Sequence, residues 1–140
     1  MDVIRLTGIR ADALSVDEVR LAVTDAAAGG IAMFAGTVRR SDHGREVVRL
    51  SYSAHPTAPA ELRRVAEKVA ADFPVCGLAA VHRVGDLAIG DLAVVVAVSS
   101  PHRAEALACC RVLIDEIKRS VPIWKHQHFA DGSDEWVNNA

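Results

Sequence analysis

Residues 92–119 read LAVVVAVSSPHRAEALACCRVLIDEIKR, and the change of pattern inside this stretch decides the fold. From Leu92 to Val98 every side chain is apolar, which over so short a run means a strand buried on both faces and central in its sheet. Ser100 then offers an N-cap. Pro101 fits the first helical position, where a missing amide costs nothing, and a helix follows to about Lys118 or Arg119. Leu107, Cys110, Ile114 and Ile117 are its expected core stripe. Pro122 forbids continuation, so IWKHQHF (123–129) reads as a strand, the DGSD turn (131–134) follows, and Trp136 with Val137 forms a last short strand.

Working back from the central strand, Leu78 to Val84 is a second buried strand joined to it through GDLAIGD (85–91). A helix from about Ala60 to Asp72 precedes it, set off by Pro56 and Pro59, stopped by Pro74, and carrying Leu62, Val65, Ala66 and Val69 at helical spacing. IAMFAGTV (31–38) and Val47 to Ser53 read as two strands of a hairpin with the long polar tip RRSDHGRE (39–46). At the start, Val3 to Thr7 alternates like a half-buried strand. Ser15 with Glu18 makes a capping box for a helix continuing to about Ala28, ended by Gly29 and Gly30. The order implies an α+β fold, helices packed on a largely antiparallel sheet. A length of 140 residues fits one domain spanning 1–140, because a second core needs more chain.

A formal net charge of -2 excludes the broad basic face that nonspecific nucleic-acid binding needs, so any anion is held locally. The run Leu92 to Val98 is too short to cross a bilayer, and Asp2 and Arg5 interrupt any signal-peptide core; the expectation is a cytoplasmic protein with no membrane partner. Cys76, Cys109 and Cys110 form neither a disulfide framework nor a zinc spacing. Cys109 and Cys110 read as small buried hydrophobes, the alternative being a persulfide-carrying thiol.

Basic residues gather where elements end: Arg39 and Arg40 after a strand, His102 and Arg103 at a helix start, Lys118 at that helix's end, Lys125 beyond Pro122. The amides and dipole of the helix start favour an anion there. If the turn at Pro122 folds the chain back, Lys118 and Lys125 face one pocket. Desolvation and mutual repulsion then lower their pKa values toward acid-base use, while the helix dipole opposes the shift at Lys118. There is no phosphate loop, dinucleotide fingerprint or nucleophile elbow, and His126 with His128 lacks a third ligand, so no metal or cofactor is expected.

GIAMFAGTVR (30–39), VHRVGDLAIGDLAVVVAVSSPHRAEAL (81–107) and IDEIKRSVPIWKHQHFADGSDEWV (114–137) together resemble the molybdopterin synthase large-subunit family, also called molybdopterin converting factor subunit 2. The resemblance implies an α/β-hammerhead-like fold. It implies a homodimer of large subunits that docks, at each end, a small ubiquitin-like sulfur carrier with a thiocarboxylated Gly-Gly C-terminus, making a heterotetramer. It further implies transfer of two sulfurs from that carrier to cyclic pyranopterin monophosphate (precursor Z), giving the dithiolene of the molybdenum cofactor. Carried over by position, Thr37, Val38, Arg39, His102, Arg103, Lys118, Lys125, His126 and Gln127 contact substrate, Lys118 and Lys125 are catalytic, and Phe34 with Arg39 lines the pocket for the carrier tail. Two positions depart from the family pattern: Gln127 replaces a usual glutamate, and SYSAHPTAP (51–59) replaces a segment that usually carries glutamate and methionine. The competing readings are a noncatalytic anion- or nucleotide-binding module and a persulfide sulfurtransferase using Cys109 or Cys110.

Overall fold

The apolar stretch at Leu92–Ser100 is a strand with neighbours on both sides and helices over both faces. In the computed structural model, which describes residues 2–138, the elements run β1 (Ile4–Arg10), α1 (Val16–Ala22), β2 (Gly30–Thr37), β3 (Ser41–Asp42), β4 (Arg45–Ala54), α2 (Ala58–Asp72), β5 (Gly77–Arg83), β6 (Gly85–Leu87), β7 (Leu92–Ser100), α3 (Arg103–Ser120), β8 (Ile123–Phe129) and β9 (Asp134–Asn138). One sheet has the order β1-β5-β7-β2, with β1 and β5 parallel and the other pairs antiparallel. The second has the order β3-β4-β8-β9, with β6 also against β4. The architecture is α+β, as expected.

Period-two alternation divides the first sheet between two cores. Leu78 and Ala80 of β5, with Val94, Val96 and Val98 of β7, meet α2 and α3. Ala79, Val81, Val95 and Ala97 turn the other way, to Val19 of α1 and to Leu14 and Val23 beside it. Each large aliphatic side chain buried this way contributes about 1.5–3 kcal/mol of transfer free energy, so β7 cannot be displaced without opening both cores. Among the described residues no helix is long and apolar enough to cross a membrane.

The structure departs from the sequence reading at several boundaries. Helix α1 ends at Ala22, because Thr24 Oγ1 donates to the Leu21 carbonyl (2.7 Å) and Asp25 Oδ1 accepts from the Ala27 amide (2.9 Å), local bonds that compete with a further helical turn. Gly29 serves instead as a point of close approach: a Cβ there would lie 2.5 Å from the Pro101 carbonyl oxygen. The expected hairpin of β2 and β4 does not form. β2 pairs along its whole length with β7, β4 pairs with β8, and the two strands belong to different sheets. The true hairpin is β3–β4, closed by His43 (φ 50°) and Gly44 (φ 77°), the two consecutive positive φ values of a tight two-residue turn. Helix α3 is capped two residues later than expected, with His102 at the N-cap and Pro101 outside it, while the Ser100 hydroxyl donates to the His102 carbonyl. Its core stripe is Ala106, Cys109, Cys110, Leu113 and Ile117, and Leu107 is 61% exposed.

Candidate active site

Where the two sheets meet beside the last turn of α3, a cavity of about 360 Å³ opens, lined by Phe34, Gly36, Thr37, Arg39, Lys118 and Lys125 among others. Each arrives by a different route. Phe34, Gly36 and Thr37 come from β2, an edge strand of the first sheet. Gly36 is required by space, since a Cβ there would meet Val94 Cγ1 at 2.8 Å and the Phe34 ring at 3.3 Å. Lys118 projects from the end of α3; Val121 caps the helix, Pro122 prevents another turn, and β8 brings Lys125 back to the same cavity. The convergence expected of the two lysines is present.

Electrostatics follow from this crowding. The Lys118 ammonium is pushed below its ordinary pKa by burial first, and then by the positive charges of Lys125 and Arg39. Lys118 is exposed along much of its length, but it lines the pocket and its charge loses part of its hydration there. Opposing this cationic set is Asp42, 8% exposed, on β3. Gln127 Nε2 donates to Asp42 Oδ2 (2.8 Å) and Arg39 Nη2 to Asp42 Oδ1 (3.1 Å). Asp42 is held below the usual carboxylate range by the Gln127 hydrogen bond first, with the charges of His43, Lys125 and Arg39 adding to it.

The other sequence-derived site residues lie elsewhere. The Val38 side chain is buried in the larger core, while its amide donates to the Asp91 carbonyl (3.0 Å) and its carbonyl accepts from Gly90 (2.9 Å). Gln127 is 2% exposed and acts through Asp42. His126 turns to the opposite face of β8, where its ring stacks on Trp136 (4.1 Å) and Nε2 bonds to Asp134 (2.7 Å). His102 and Arg103 stand at the start of α3, and at 1.5 Å of rise per residue Arg103 is about 22 Å along the helix from Lys118. Within one chain these two ends cannot hold the same small anion. Conversely, Asp42, Tyr52 and His82 stand at the site without having been singled out from sequence.

Residues 9–120 match the family described as MoaE protein. The chain belongs to this family. It is 37% identical over 139 residues to the molybdopterin synthase catalytic subunit of Homo sapiens, covering 99% of this chain and 72% of that one. To molybdopterin synthase catalytic subunit 1 of Mycobacterium tuberculosis it is 42% identical over 131 residues, covering 90% and 86%. Among solved structures, molybdopterin synthase from Staphylococcus aureus superposes with a TM-score of 0.86 at 32% identity over 92% of this chain and 94% of that one. The fold also recurs, with a TM-score of 0.68 at 22% identity over 98% of this chain and 90% of that one, in a protein-protein complex of subunits 1 and 2 of the molybdopterin-converting factor from Helicobacter pylori.

Gln127 has a local reason to be an amide. Its amide nitrogen faces Asp42 (2.8 Å) and Glu135 (3.5 Å), and an ionised glutamate has no proton to give either carboxylate. The cysteines are chemically quiet. Cys109 is fully buried, its thiol pushed up to about 12 by burial and by Cys110, and Cys110 is raised by burial. Neither supplies a thiolate near neutral pH.

Proposed function

We propose that the whole chain acts as one domain, the cytoplasmic catalytic subunit of molybdopterin synthase, a sulfurtransferase that moves two sulfurs from a small carrier to cyclic pyranopterin monophosphate. The observation that carries this reading is the convergence of Arg39, Lys118 and Lys125 on one cavity with the Lys118 pKa lowered. Such a pocket attracts a phosphate and a thiocarboxylate, and also holds an amine that gives up its proton more readily than a free lysine. The carrier's C-terminal tail enters beside Phe34, which is 40% exposed on the open edge of β2; the neighbouring Ile31 and Leu107, 42% and 61% exposed, offer apolar surface to the carrier body. Its thiocarboxylate sulfur attacks a carbon of the pterin side chain, forming the C–S bond as the cyclic phosphate opens. Water then cleaves the acyl–sulfur bond, which frees the carrier as a carboxylate and leaves the sulfur on the pterin. A second carrier delivers the second sulfur to the neighbouring side-chain carbon, whose oxygen leaves as water, and hydrolysis again frees the carrier as a carboxylate. Lys118 moves protons in these steps, and Arg39 and Lys125 hold the anions.

His102 and Arg103 enter this scheme through a second copy of the chain. A homodimer that sets the α3 start of one subunit against the Lys118 pocket of the other gives each site a further guanidinium, Arg103, and the His102 imidazole, and with a carrier on each subunit the assembly is a heterotetramer. The decisive experiment is reconstitution with thiocarboxylated carrier and cyclic pyranopterin monophosphate, followed by mass spectrometry. A pterin product carrying two sulfurs is expected. If the carrier stays thiocarboxylated while the pterin binds, the pocket is an anion-binding module without catalysis.

A further inference from the structure

We propose that Tyr52 is a substrate-contacting residue: its hydroxyl, on the cavity wall shared with Lys125, donates a hydrogen bond to an oxygen of the bound anion. This deepens the sulfur-transfer reading by naming a further contact of the same site, and it rests on that reading for the identity of the anion. Tyr52 stands on β4 directly opposite Lys125 of β8. Opposite residues of an antiparallel pair project from the same face of the sheet, with Cβ atoms about 4.5–5.5 Å apart. Both residues line the cavity where the two sheets meet. The strand register thus sets a phenol next in line to one of the site's cations.

The ring has little freedom. Tyr52 is 9% exposed, belongs to the larger core, and meets the His82 ring edge to face at 79°, with centroids 5.0 Å apart. His82 is itself held, its Nδ1 lying 2.8 Å from the Arg83 carbonyl oxygen. The Tyr52 hydroxyl, by contrast, makes no hydrogen bond among the described residues. The polar side-chain atoms shut off from solvent without a partner are Arg83 Nε, Ser99 Oγ and Glu105 Oε2, and the hydroxyl is not one of them. It therefore keeps access to solvent, and the open space that Tyr52 borders is the cavity. A tyrosine buried to this extent ordinarily finds a partner for its O–H, so the free donor is matched to a ligand. Burial raises the Tyr52 pKa, and the phenol stays protonated at neutral pH. It adds a donor to a wall of cations without adding charge. Hydrogen bonds from a hydroxyl to an anionic oxygen are roughly twice as strong as neutral ones. Phosphate and thiocarboxylate, the two anions of the sulfur-transfer reading, both offer such an oxygen. Flexible lysines gather an anion; a rigid donor fixes which way it faces.

Tyr52→Phe removes the oxygen and keeps the ring, so the packing on His82 is retained. Tyr52 is the one tyrosine of the chain, and labelling the whole protein with carbon-13 at the tyrosine ζ carbon gives a single NMR signal that reports on its hydroxyl. That signal is expected to move on adding cyclic pyranopterin monophosphate or thiocarboxylated carrier, and the ligand that moves it names the source of the oxygen. If the source is the phosphate, pterin affinity by calorimetry falls roughly tenfold to a hundredfold in Tyr52→Phe. If it is the thiocarboxylate, turnover falls by that factor and pterin affinity holds. A signal unmoved while both ligands bind overturns the proposal, and so does a signal that moves while Tyr52→Phe keeps wild-type affinity and turnover. If the wild type binds neither ligand or does not turn over, the sulfur-transfer reading fails separately and inorganic phosphate becomes the probe. A shifted signal with weaker phosphate binding by Tyr52→Phe then supports the contact; an unshifted signal, unchanged binding or no binding at all refutes it.

Discussion

Replacing Gln127 by leucine removes the hydrogen bond that does most to hold the Asp42 carboxylate, and its cost follows from the local geometry. Donor and acceptor are both buried, 2% and 8% exposed, and 2.8 Å apart, so little solvent replaces the lost partner. A hydrogen bond to a charged group contributes about 1.5–3 kcal/mol, and the leucine cannot return it. A loss of about 2 kcal/mol is expected at pH 7, which for a chain of this size is roughly 6–10 °C in Tm. The pH dependence identifies the cause. Asp42 has a folded pKa below its unfolded value, so its contribution is present above the unfolded pKa and disappears as pH falls through the folded one. Wild type and Gln127→Leu should therefore differ most at neutral pH and converge in acid. Urea denaturation at pH 7 and near pH 3 measures this directly. A difference of the same size at both pH values would show that the amide acts only by filling space, and that Asp42 is held by Arg39 and its other neighbours alone.

Lys118→Arg keeps a positive charge at the pocket but removes a group that can lose its proton; turnover with thiocarboxylated carrier should fall about 100-fold or more while pterin affinity, by calorimetry, stays near wild type. Activity close to wild type would leave Lys118 an electrostatic anchor. Lys118→Ala and Arg103→Ala, each inactive alone, should recover activity when mixed and allowed to exchange subunits, because one site of each mixed dimer then receives both wild-type contributions; no recovery in a verified mixed dimer would remove Arg103 from the shared site.

The fold was legible where pattern and burial agree. The apolar run at Leu92–Val98 could only be a central strand, and the Pro122 break could only reverse the chain after α3. Strand partnership was not legible, because β2 and β4 are adjacent in sequence and both rich in strand-forming residues; their separation into two sheets depends on β2 filling the free edge of β7, a contact across many residues. Leu107 looked like core by spacing alone, and nothing local says that the α3 stripe is centred one residue away, on Ala106 and Leu113. The lysines and Arg39 stood out because cations at element ends are conspicuous. His82 and Asp42 did not, since a lone histidine in an apolar strand and an aspartate in a polar turn are ordinary until the fold sets one beside Lys118 and the other beneath Arg39.

The site also explains why so few charges suffice. Arg39, Lys118 and Lys125 belong to three different parts of the chain, the end of β2, the end of α3 and the middle of β8, and only the junction of the two sheets puts them in one cavity. Three cations placed together repel, and the structure divides the consequences unequally. Arg39 has a fixed partner in Asp42 at 3.1 Å, whereas Lys118 is desolvated and feels both neighbours. The pairing with Asp42 fixes the Arg39 guanidinium in place as an anchor for anions, and the crowding at Lys118 brings an amine nearer to losing its proton. Gln127 ties the two effects together, because by holding Asp42 it sets how much of the Arg39 charge remains for the pocket and for Lys118. A neutral amide at that place lets Asp42 stay ionised beside Glu135; a second ionised carboxylate there would repel both and weaken the hold on Arg39.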